Sequence, residues 1–242
     1  MLIVAVLSSI IAFSAPVEAQ LPLPAGVPRG DVLVIENHWG SYPDPTDWNY
    51  KIPGKPATGG SGFQQLCGAY LWYVNTTSGK LIDWLAAGPP EYSADFKTVR
   101  FRLRAGAYWN DGKPFTADDV VFTIQTALNT KQWGTNAYAT TWIESAVAED
   151  ARTVKITLKK AYTRFHYAFT VIIYGTGWWI VPKHVWEGKD PVSFKFYPPL
   201  SIGPYNLEAV DPAGNWFLWK REENWWGTKV FGLKPAPRYI IY

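Results

Sequence analysis

The chain has 242 residues, which is enough for one or two domains with a substantial core. Its 48% hydrophobic and 18% charged residues are typical of a globular protein and exclude a disordered chain. The 23 basic and 20 acidic residues leave a net charge of only +3, and the basic residues are scattered, which excludes nucleic acid as a partner.

The N-terminus has the features of a secretion signal. An apolar run from Leu2 to Phe13 precedes Val17-Glu18-Ala19, whose small residues fit cleavage by signal peptidase after Ala19. The run is shorter than the roughly 20 apolar residues that span a bilayer. We therefore predict a signal peptide over residues 1–19 and a secreted protein, either periplasmic or at the cell surface. Residues 20–30 are proline-rich and predict an extended linker.

The single cysteine, Cys67, excludes an intramolecular disulfide. It lies far from the predicted cleavage position, so a lipid anchor at the new N-terminus has no residue to attach to. Its apolar neighbours predict a small buried hydrophobe.

The first elements are short. Val32 to Glu36 is a β-branched apolar run that predicts a buried strand, and residues 38–56 form a long loop punctuated by glycine and proline. A loop of this length is usually functional or disordered, and its aromatic residues argue against disorder. Phe63 to Val74 fits either a helix or a buried strand, and Leu81 to Leu85 predicts a short strand.

The central segment is a strand, a turn and a capped helix. Apolar residues alternate with arginine from Val99 to Arg104, as in a half-buried strand, and Asn110-Asp111-Gly112 is typical of a turn. Thr116 can cap a helix, with Asp119 three residues later completing a capping box. One face of the helix is apolar and is predicted to face the core: Val120, Val121, Ile124, Ala127 and Leu128.

The remaining elements follow from alternation and turn residues. Residues 129–141 predict a polar loop, and Val154 to Leu158 alternates as a strand. Tyr205 to Val210 and Trp216 to Lys220 predict a hairpin around Asp211-Pro212-Ala213-Gly214-Asn215, and residues 239–242 have strand composition.

Four sequence blocks resemble one protein family in the expected order. Tyr108 to Phe122 (YWNDGKPFTADDVVF) is similar to the signature of the family 5 extracytoplasmic solute-binding proteins, the peptide, nickel and oligosaccharide receptors of ABC importers. Asn110 is the visible departure, since family members often have His there. The other blocks are TVKITLKKAYTR from Thr153, IVPKHVW from Ile180, and IGPYNLEAVDPAGNWFLWKREENWWG from Ile202.

The resemblance implies an α/β fold of the periplasmic-binding-protein type II-like class (cluster C). The expected lobe has a mixed sheet with helices and an inserted α+β subdomain. Lobe I would comprise residues 31–56 and 201–242, and the inserted subdomain would comprise residues 57–200. The sequence would then stop before the chain crosses over to the second lobe. We expect a fragment in which the second lobe is absent. The resemblance also favours a helix for residues 63–74.

No residue pattern predicts catalysis, a metal or a cofactor. His38, His166 and His184 lie far apart, and Gly175-Thr176-Gly177 lacks the third glycine of a dinucleotide motif. The residues to test for a catalytic carboxylate pair, as used in glycoside hydrolysis, are Asp44, Asp47, Glu222 and Glu223. Charged residues are more often solvent-exposed residues of loops and strand ends than catalytic groups. We predict a protein that is not an enzyme and has no cofactor.

Ligand binding is predicted from aromatic residues in loops, because 17% of the chain is aromatic and aromatic faces pack on sugar rings and on peptide side chains. The resemblance places the end of the first strand in the ligand cleft. The predicted ligand-binding residues are Asn37, His38, Trp39, Tyr42, Trp48, Asn49, Trp133, Trp178 and Trp179. An oligosaccharide is favoured over an oligopeptide, for whose amino terminus Asp44 or Asp47 could serve.

The resemblance further implies ABC permease subunits as partners, and we expect a monomer. The alternative from another class is a secreted carbohydrate-active enzyme or carbohydrate-binding module. That alternative predicts hydrolysis, or binding to insoluble polysaccharide, by this lobe alone.

Overall fold

The computed structural model describes residues 23–36, 40–54, 61–173 and 175–242. The helices are α1 (Phe63–Cys67), α2 (Ala117–Asn129), α3 (Asn136–Trp142), α4 (Lys183–Trp186) and α5 (Trp226–Phe231). The strands are β1 (Val32–Val34), β2 (Trp72–Val74), β3 (Leu81–Asp83), β4 (Glu91–Tyr92), β5 (Thr98–Arg102), β6 (Ile143–Asp150), β7 (Thr153–Leu158), β8 (Thr170–Val171), β9 (Tyr205–Val210), β10 (Phe217–Arg221) and β11 (Tyr239–Ile241).

The strands form three sheets. The first sheet has the order β1-β11-β10-β9 and joins the two ends of the chain, with β1 parallel to β11 and the other pairs antiparallel. The second sheet is β3-β2-β8, and the third is β4-β5-β7-β6. The strands of the second and third sheets therefore lie, in sequence, between β1 and β9. None of the helices in the described ranges is both long and apolar enough to span a membrane.

The predicted capped helix is confirmed as α2. The side chain of Thr116 accepts from the backbone of Asp119, and the Asp119 carboxylate accepts from the Thr116 amide at 2.9 Å. Asp119 also accepts from the amide of Lys183 at 2.8 Å, which ties α4 to the start of α2. Because Asp119 is buried, its pKa is raised above the usual range of a carboxyl group. One residue thus fixes both the cap and a tertiary contact.

β5 and β7, whose apolar and polar residues alternate regularly, form as predicted. In the third sheet Val99 pairs with Ile156 and Phe101 with Val154, and these four side chains are buried on one face. The apolar face of α2 packs against β6 and β7. The hairpin of β9 and β10 also forms as predicted, with Asp211 bonding the backbone of its turn.

The prediction of a helix over residues 63–74 is wrong for its second half. α1 ends at Cys67 because Gly68 adopts a left-handed conformation (φ +65°), and Trp72 then enters β2 between β3 and β8. The prediction of a loop over residues 129–141 is also wrong in part. Residues from Asn136 form α3, whose first residue bonds the last carbonyls of α2 through its side chain.

Part of the predicted linker packs onto the folded domain. The predicted signal peptide, residues 1–19, lies outside the described residues. Leu23 and Val27 pack against one face of the first sheet, beside Leu218 and Tyr239. Burial of these apolar side chains attaches the segment to the domain.

The turn at Asn110 is bonded to β9 and to the residues just before it. The side-chain amide of Asn110 donates to the carbonyl of Gly203 at 3.1 Å and to the Asn206 side chain in β9 at 2.7 Å. Gly203 passes so close to α1 that a Cβ atom there would overlap the carbonyl oxygen of Leu66. Asparagine therefore serves the turn at the position where the family pattern often has histidine, and glycine is required beside it.

Candidate ligand-binding site

The first sheet has an edge at which β1 and β11 both end. Since these strands are parallel, their carboxyl ends lie side by side. Ile35 follows β1 and donates to the carbonyl of Ile241 at 2.8 Å, and Tyr242 exchanges backbone hydrogen bonds with Phe217 at 2.9 and 3.0 Å. We call Ile35, Phe217 and Tyr242 the sheet edge. Ligands of α/β proteins bind in the crevice beyond the carboxyl ends of strands, which makes this edge the candidate site.

Tyr42 packs against the sheet edge. Its ring packs edge-on against Phe217, with 5.2 Å between centroids. Its amide donates to the carbonyl of Gly214 at 3.0 Å, and Gly214, at φ +74°, approaches so closely that a Cβ atom would overlap the Tyr42 carbonyl. The segment after β1 is thereby fixed to the turn between β9 and β10.

The start of α1 also contacts the sheet edge and the neighbouring strand β10. The indole Nε1 of Trp219 donates to the carbonyl of Ser61 at 2.6 Å. Gly62 has φ +86°, and a Cβ atom there would lie 2.6 Å from the ring of Tyr242. Glycine at this position lets α1 begin directly against the end of β11.

A loop after β8 reaches α1 from the inserted segment. We call Ile172, Ile173, Gly175 and Thr176 the isoleucine loop. The amide of Gly175 donates to Oε1 of Gln64 at 2.6 Å, and Nε2 of Gln64 donates to the carbonyl of Thr176 at 3.0 Å. One side chain of α1 therefore bonds to the loop at two points.

Two predicted site residues, Trp48 and Asn49, are buried in the segment after β1. Trp48 has no exposed surface, and its Nε1 donates to the carbonyl of Pro45 at 2.8 Å. Asn49 is 1% exposed and donates from Nδ2 to the carbonyls of Pro191 at 3.0 Å and Val192 at 3.3 Å. Their contacts hold this segment against the inserted part, which argues against direct ligand contact by either side chain.

The predicted loop tryptophans Trp133, Trp178 and Trp179 are also buried. Nε1 of Trp133 donates to the carbonyl of Pro191 at 3.0 Å. Trp179 packs 5.2 Å from Phe63 and 4.8 Å from Tyr50, measured between ring centroids. The structure thus brings the predicted aromatic residues together as a packing core. Asn37, His38 and Trp39 lie outside the described residues.

The tryptophans as a group are used for packing. Of the thirteen tryptophans that the structure describes, ten are buried and three are half-buried. The buried ones are Trp48, Trp72, Trp109, Trp133, Trp178, Trp179, Trp186, Trp219, Trp225 and Trp226, and the half-buried ones are Trp84, Trp142 and Trp216. Core packing therefore accounts for most of the described tryptophans. Their number gives less support to a sugar ligand than the sequence suggested.

A buried lysine lies among the aromatic residues of the core. Lys51 is 5% exposed, and its Nζ donates to the carbonyl of Trp179 at 2.5 Å and lies 5.2 Å from the ring centroids of Tyr50 and Trp133. Within the described part of the chain, no carboxylate lies within 4 Å of this Nζ atom. Burial lowers the pKa of Lys51 to about 7, because a cation is poorly solvated in an apolar environment.

The acidic residues considered for a peptide amino terminus are engaged. Asp44 pairs with Lys195 at 2.8 Å, and this hydrogen bond lowers the pKa of Asp44 to about 2. Asp47 is 4% exposed and accepts from the Asn49 amide at 3.2 Å.

The carboxylates considered for catalysis have structural partners as well. Glu222 accepts from Asn206 at 2.9 Å, and Glu223 pairs with Arg221 and Lys234 at 2.8 Å. His166 contacts the Tyr92 hydroxyl and His184 contacts Asp111, each at 2.8 Å. Over the described ranges, no group of three or more His, Cys, Asp or Glu residues is arranged to hold a metal ion.

A family model agrees with these features. The model of the bacterial extracellular solute-binding proteins, family 5 (middle part), matches residues 80–242. The chain belongs to this family. Its fold is that of a type II periplasmic binding protein, as in the periplasmic oligopeptide-binding protein of an oligopeptide ABC transporter from Thermotoga maritima, solved with bound mannohexaose. That structure is 27% identical with a TM-score of 0.74, and the match covers 89% of this chain and 38% of that one.

Curated relatives are similar over a shorter range. The probable peptide-binding protein YejA of Agrobacterium fabrum is 31% identical over 153 residues, covering 60% of this chain and 24% of the relative. Protein XP55 of Streptomyces lividans is 36% identical over 149 residues, covering 60% and 25%. The chain spans about a quarter of the length of these relatives.

Sequence reasoning missed Gln64 and the isoleucines. The signal that could have found the loop was Gly175-Thr176-Gly177 after a short apolar run. Trp178 and Trp179, which follow this motif and were predicted to bind the ligand, are buried. The residues before it, Ile172 and Ile173, are the exposed ones.

Proposed function

We propose that the chain is the first-lobe part of a secreted receptor, periplasmic or at the cell surface, that captures an oligosaccharide or oligopeptide for an ABC importer. Family membership supports the receptor class. The observation that carries the location of the site is the sheet edge, where β1 and β11 end side by side, Tyr42 packs on Phe217 and Gly62 approaches Tyr242. The proposed partners are ABC permease subunits, and the proposed state is a monomer.

The proposed division of the chain is supported by the sheet topology. The first sheet takes its strands only from residues 32–34 and 205–241, which fits lobe I at residues 31–56 and 201–242. The second and third sheets lie in sequence between residues 72 and 171, which fits an inserted subdomain at residues 57–200.

Two ligand classes are proposed for testing, each with its own support. An oligosaccharide is supported by the mannohexaose in the similar Thermotoga maritima structure. An oligopeptide is supported by the name of the Agrobacterium fabrum relative, a probable peptide-binding protein. Of the predicted contact residues, Trp39, Asn37 and His38 come first, since Trp48, Asn49, Trp133 and Trp179 are buried.

Isothermal titration calorimetry of the complete protein tests the proposal with mannohexaose, cellopentaose and alanine-based pentapeptides. We expect one class to bind, and we expect Trp39→Ala to weaken that binding about tenfold, as loss of one aromatic contact would. Trp48→Phe is the matched control, which should lower thermal stability and leave affinity unchanged. Absence of binding to every probe would contradict the receptor function.

The alternative of a carbohydrate-active enzyme is tested in the same samples. Incubation of the oligosaccharides with the complete protein, followed by chromatography, should return them uncleaved. Cleavage, or retention on insoluble polysaccharide, would favour the alternative.

A further inference from the structure

A cleft of about 620 Å³ lies at the end of β5 and shares no residue with the sheet edge. Three arginine side chains line it, together with two prolines and one carboxylate: Arg102, Arg104, Arg152, Pro89, Pro90 and Glu91. We call this feature the arginine cleft. The proposed receptor site leaves this concentration of positive charge unexplained.

The backbone brings the three arginines together. Arg102 is the last residue of β5, and it pairs with Thr153 in β7, the residue that follows Arg152. The amide of Leu103 donates to the carbonyl of Arg152 at 2.6 Å. Arg102 and Arg104 flank Leu103, so the alternation of the chain places them on the side opposite its buried side chain. The pairing of β5 with β7 therefore gathers all three arginines at one end of the third sheet.

Neighbouring carboxylates do not compensate the charges of these arginines. Over the described residues, no carboxylate oxygen lies within 4 Å of a side-chain nitrogen of any of the three. Arg100, two residues earlier in β5, differs in this respect, since it pairs with Glu149 at 2.6 Å and with Glu91 at 3.8 Å. Three positive side chains and the single carboxylate of Glu91 thus leave an excess of two positive charges along the cleft.

Asp150 lies close in sequence, but its carboxylate serves the turn between β6 and β7. It accepts from the backbone amide of Arg152 at 2.8 Å. This hydrogen bond is the main cause of the lowered pKa of Asp150, to which the charge of Arg102 contributes least. The carboxylate therefore holds the backbone of the turn and leaves both guanidinium groups without an ion pair.

Arg104 is held in position before any ligand binds. Its Nε donates to the carbonyl of Trp84 at 2.7 Å, its Nη2 donates to the carbonyl of Asp83 at 2.8 Å, and its guanidinium lies 5.0 Å from the ring centroid of Phe231. These groups orient the guanidinium without neutralising its charge. The other two arginines are exposed, and their side chains make no hydrogen bond to a described residue. One fixed cation is thus combined with two that are free to bind an anion.

We propose that the arginine cleft binds a phosphate monoester, carried either by a soluble compound or by a lipid headgroup. The guanidinium fork matches the oxygen geometry of phosphate. A phosphate monoester carries about 1.5 to 2 negative charges at neutral pH, which matches the excess in the cleft, whereas a carboxylate would neutralise one. Apolar side chains of the cleft, including Pro89, Pro90 and Val230, offer a surface for the carbon atoms beside the phosphate. The site is separate from the proposed receptor function.

The test uses the complete protein at constant ionic strength, so that screening of surface charges is the same throughout. Isothermal titration calorimetry measures binding of glycerol 1-phosphate, and co-sedimentation measures binding to phosphatidylcholine vesicles that contain phosphatidic acid. We expect binding in at least one of the two assays, and the assay that detects it identifies the source of the phosphate. Arg102→Gln and Arg152→Gln should each weaken this binding about tenfold, since each removes a charge-assisted hydrogen bond.

Arg164→Gln is the matched control, because Arg164 is exposed and lies outside the cleft. It should leave phosphate binding unchanged. All these variants replace exposed side chains, so their melting temperatures should stay close to that of the wild type. Arg152→Lys keeps the charge but loses the planar fork, and it should recover only part of the affinity.

Three results would overturn the inference. Absence of binding in both assays would remove the proposed ligand. An equal loss of binding in Arg164→Gln would show a general attraction of anions to the basic residues of the surface. Competition by glutarate, a dicarboxylate, as strong as that by glycerol 1-phosphate would show that the cleft does not select phosphate. In each case the receptor function stands, because its probes and its site are different.

Discussion

Replacing the buried Lys51 by methionine should stabilise the protein at neutral pH and lose that advantage in alkali. Methionine fills a similar volume without a charge. In the folded protein the Lys51 ammonium donates to the Trp179 carbonyl and lies near the rings of Tyr50 and Trp133, and burial lowers its pKa to about 7. In the unfolded chain its pKa is about 10.4.

The direction of the pH dependence follows from the protons that Lys51 binds in the folded and unfolded states. Between pH 7 and 10 the unfolded state binds a proton at Lys51 that the folded state does not, so this residue makes stability rise with pH. The limiting slope is about 1.4 kcal/mol per pH unit, which gives a change of roughly 3–4 kcal/mol between pH 7 and 10. Methionine removes this dependence but leaves the Trp179 carbonyl without its donor, at a cost of about 1–3 kcal/mol.

Urea unfolding at pH 7, 8, 9 and 10 measures the difference in unfolding free energy between variant and wild type. We expect Lys51→Met to be more stable at pH 7 by about 1–3 kcal/mol, and equal or less stable at pH 10. Lys131→Met is the control, because Lys131 is exposed and its ammonium stays in water in both states. A difference between wild type and Lys51→Met that does not change with pH would refute the argument.

Gly203→Ala should destabilise the protein by more than about 3 kcal/mol, or prevent folding, because the new Cβ atom would overlap the backbone of α1. The control is Gly88→Ala, which has open space around the new Cβ atom and should cost less than about 1 kcal/mol in the same urea titration. Asp119→Asn should cost about 2 kcal/mol by the same assay, since one amide oxygen cannot accept from both backbone amides that the two carboxylate oxygens serve. For Asp44, whose folded pKa is lowered to about 2, stabilisation should be present above pH 3.8 and be lost as the pH falls towards 2. Because Asp44 and Lys195 are exposed, the effect should stay below about 1 kcal/mol when wild type and Asp44→Asn are compared in acid.

The elements that the sequence predicted are those whose signals are local. The Thr116 capping box and the alternation in β5 and β7 depend on residues within one segment, and these elements formed as predicted. β6 was not predicted, because register shifts near Ser145 and Asp150 break the alternation that a sequence pattern needs. The break at Gly68 depends on a left-handed residue that the apolar pattern of residues 63–74 conceals.

The candidate site was harder to predict, because exposure is a tertiary property. Trp48 and Trp179 have the residue type and loop position of ligand contacts, but packing against Phe63 buries both. Gln64 has no distinctive sequence signal, since its two bonds go to a loop more than 100 residues away. Family resemblance predicted the fold, whereas the exposed isoleucines emerged only from the structure.

The most direct test of the receptor account is hydrogen exchange of the complete protein with and without ligand, using mannohexaose, cellopentaose and the alanine-based pentapeptides. The account predicts that a bound probe protects the amides of the sheet edge, at residues 35, 217 and 242, and those at the start of α1, at residues 62–64. It also predicts that exchange on the exposed face of α2 is unchanged. Protection confined to α2 or to the third sheet would contradict the proposed location of the site. Unchanged exchange with every probe would contradict the function itself.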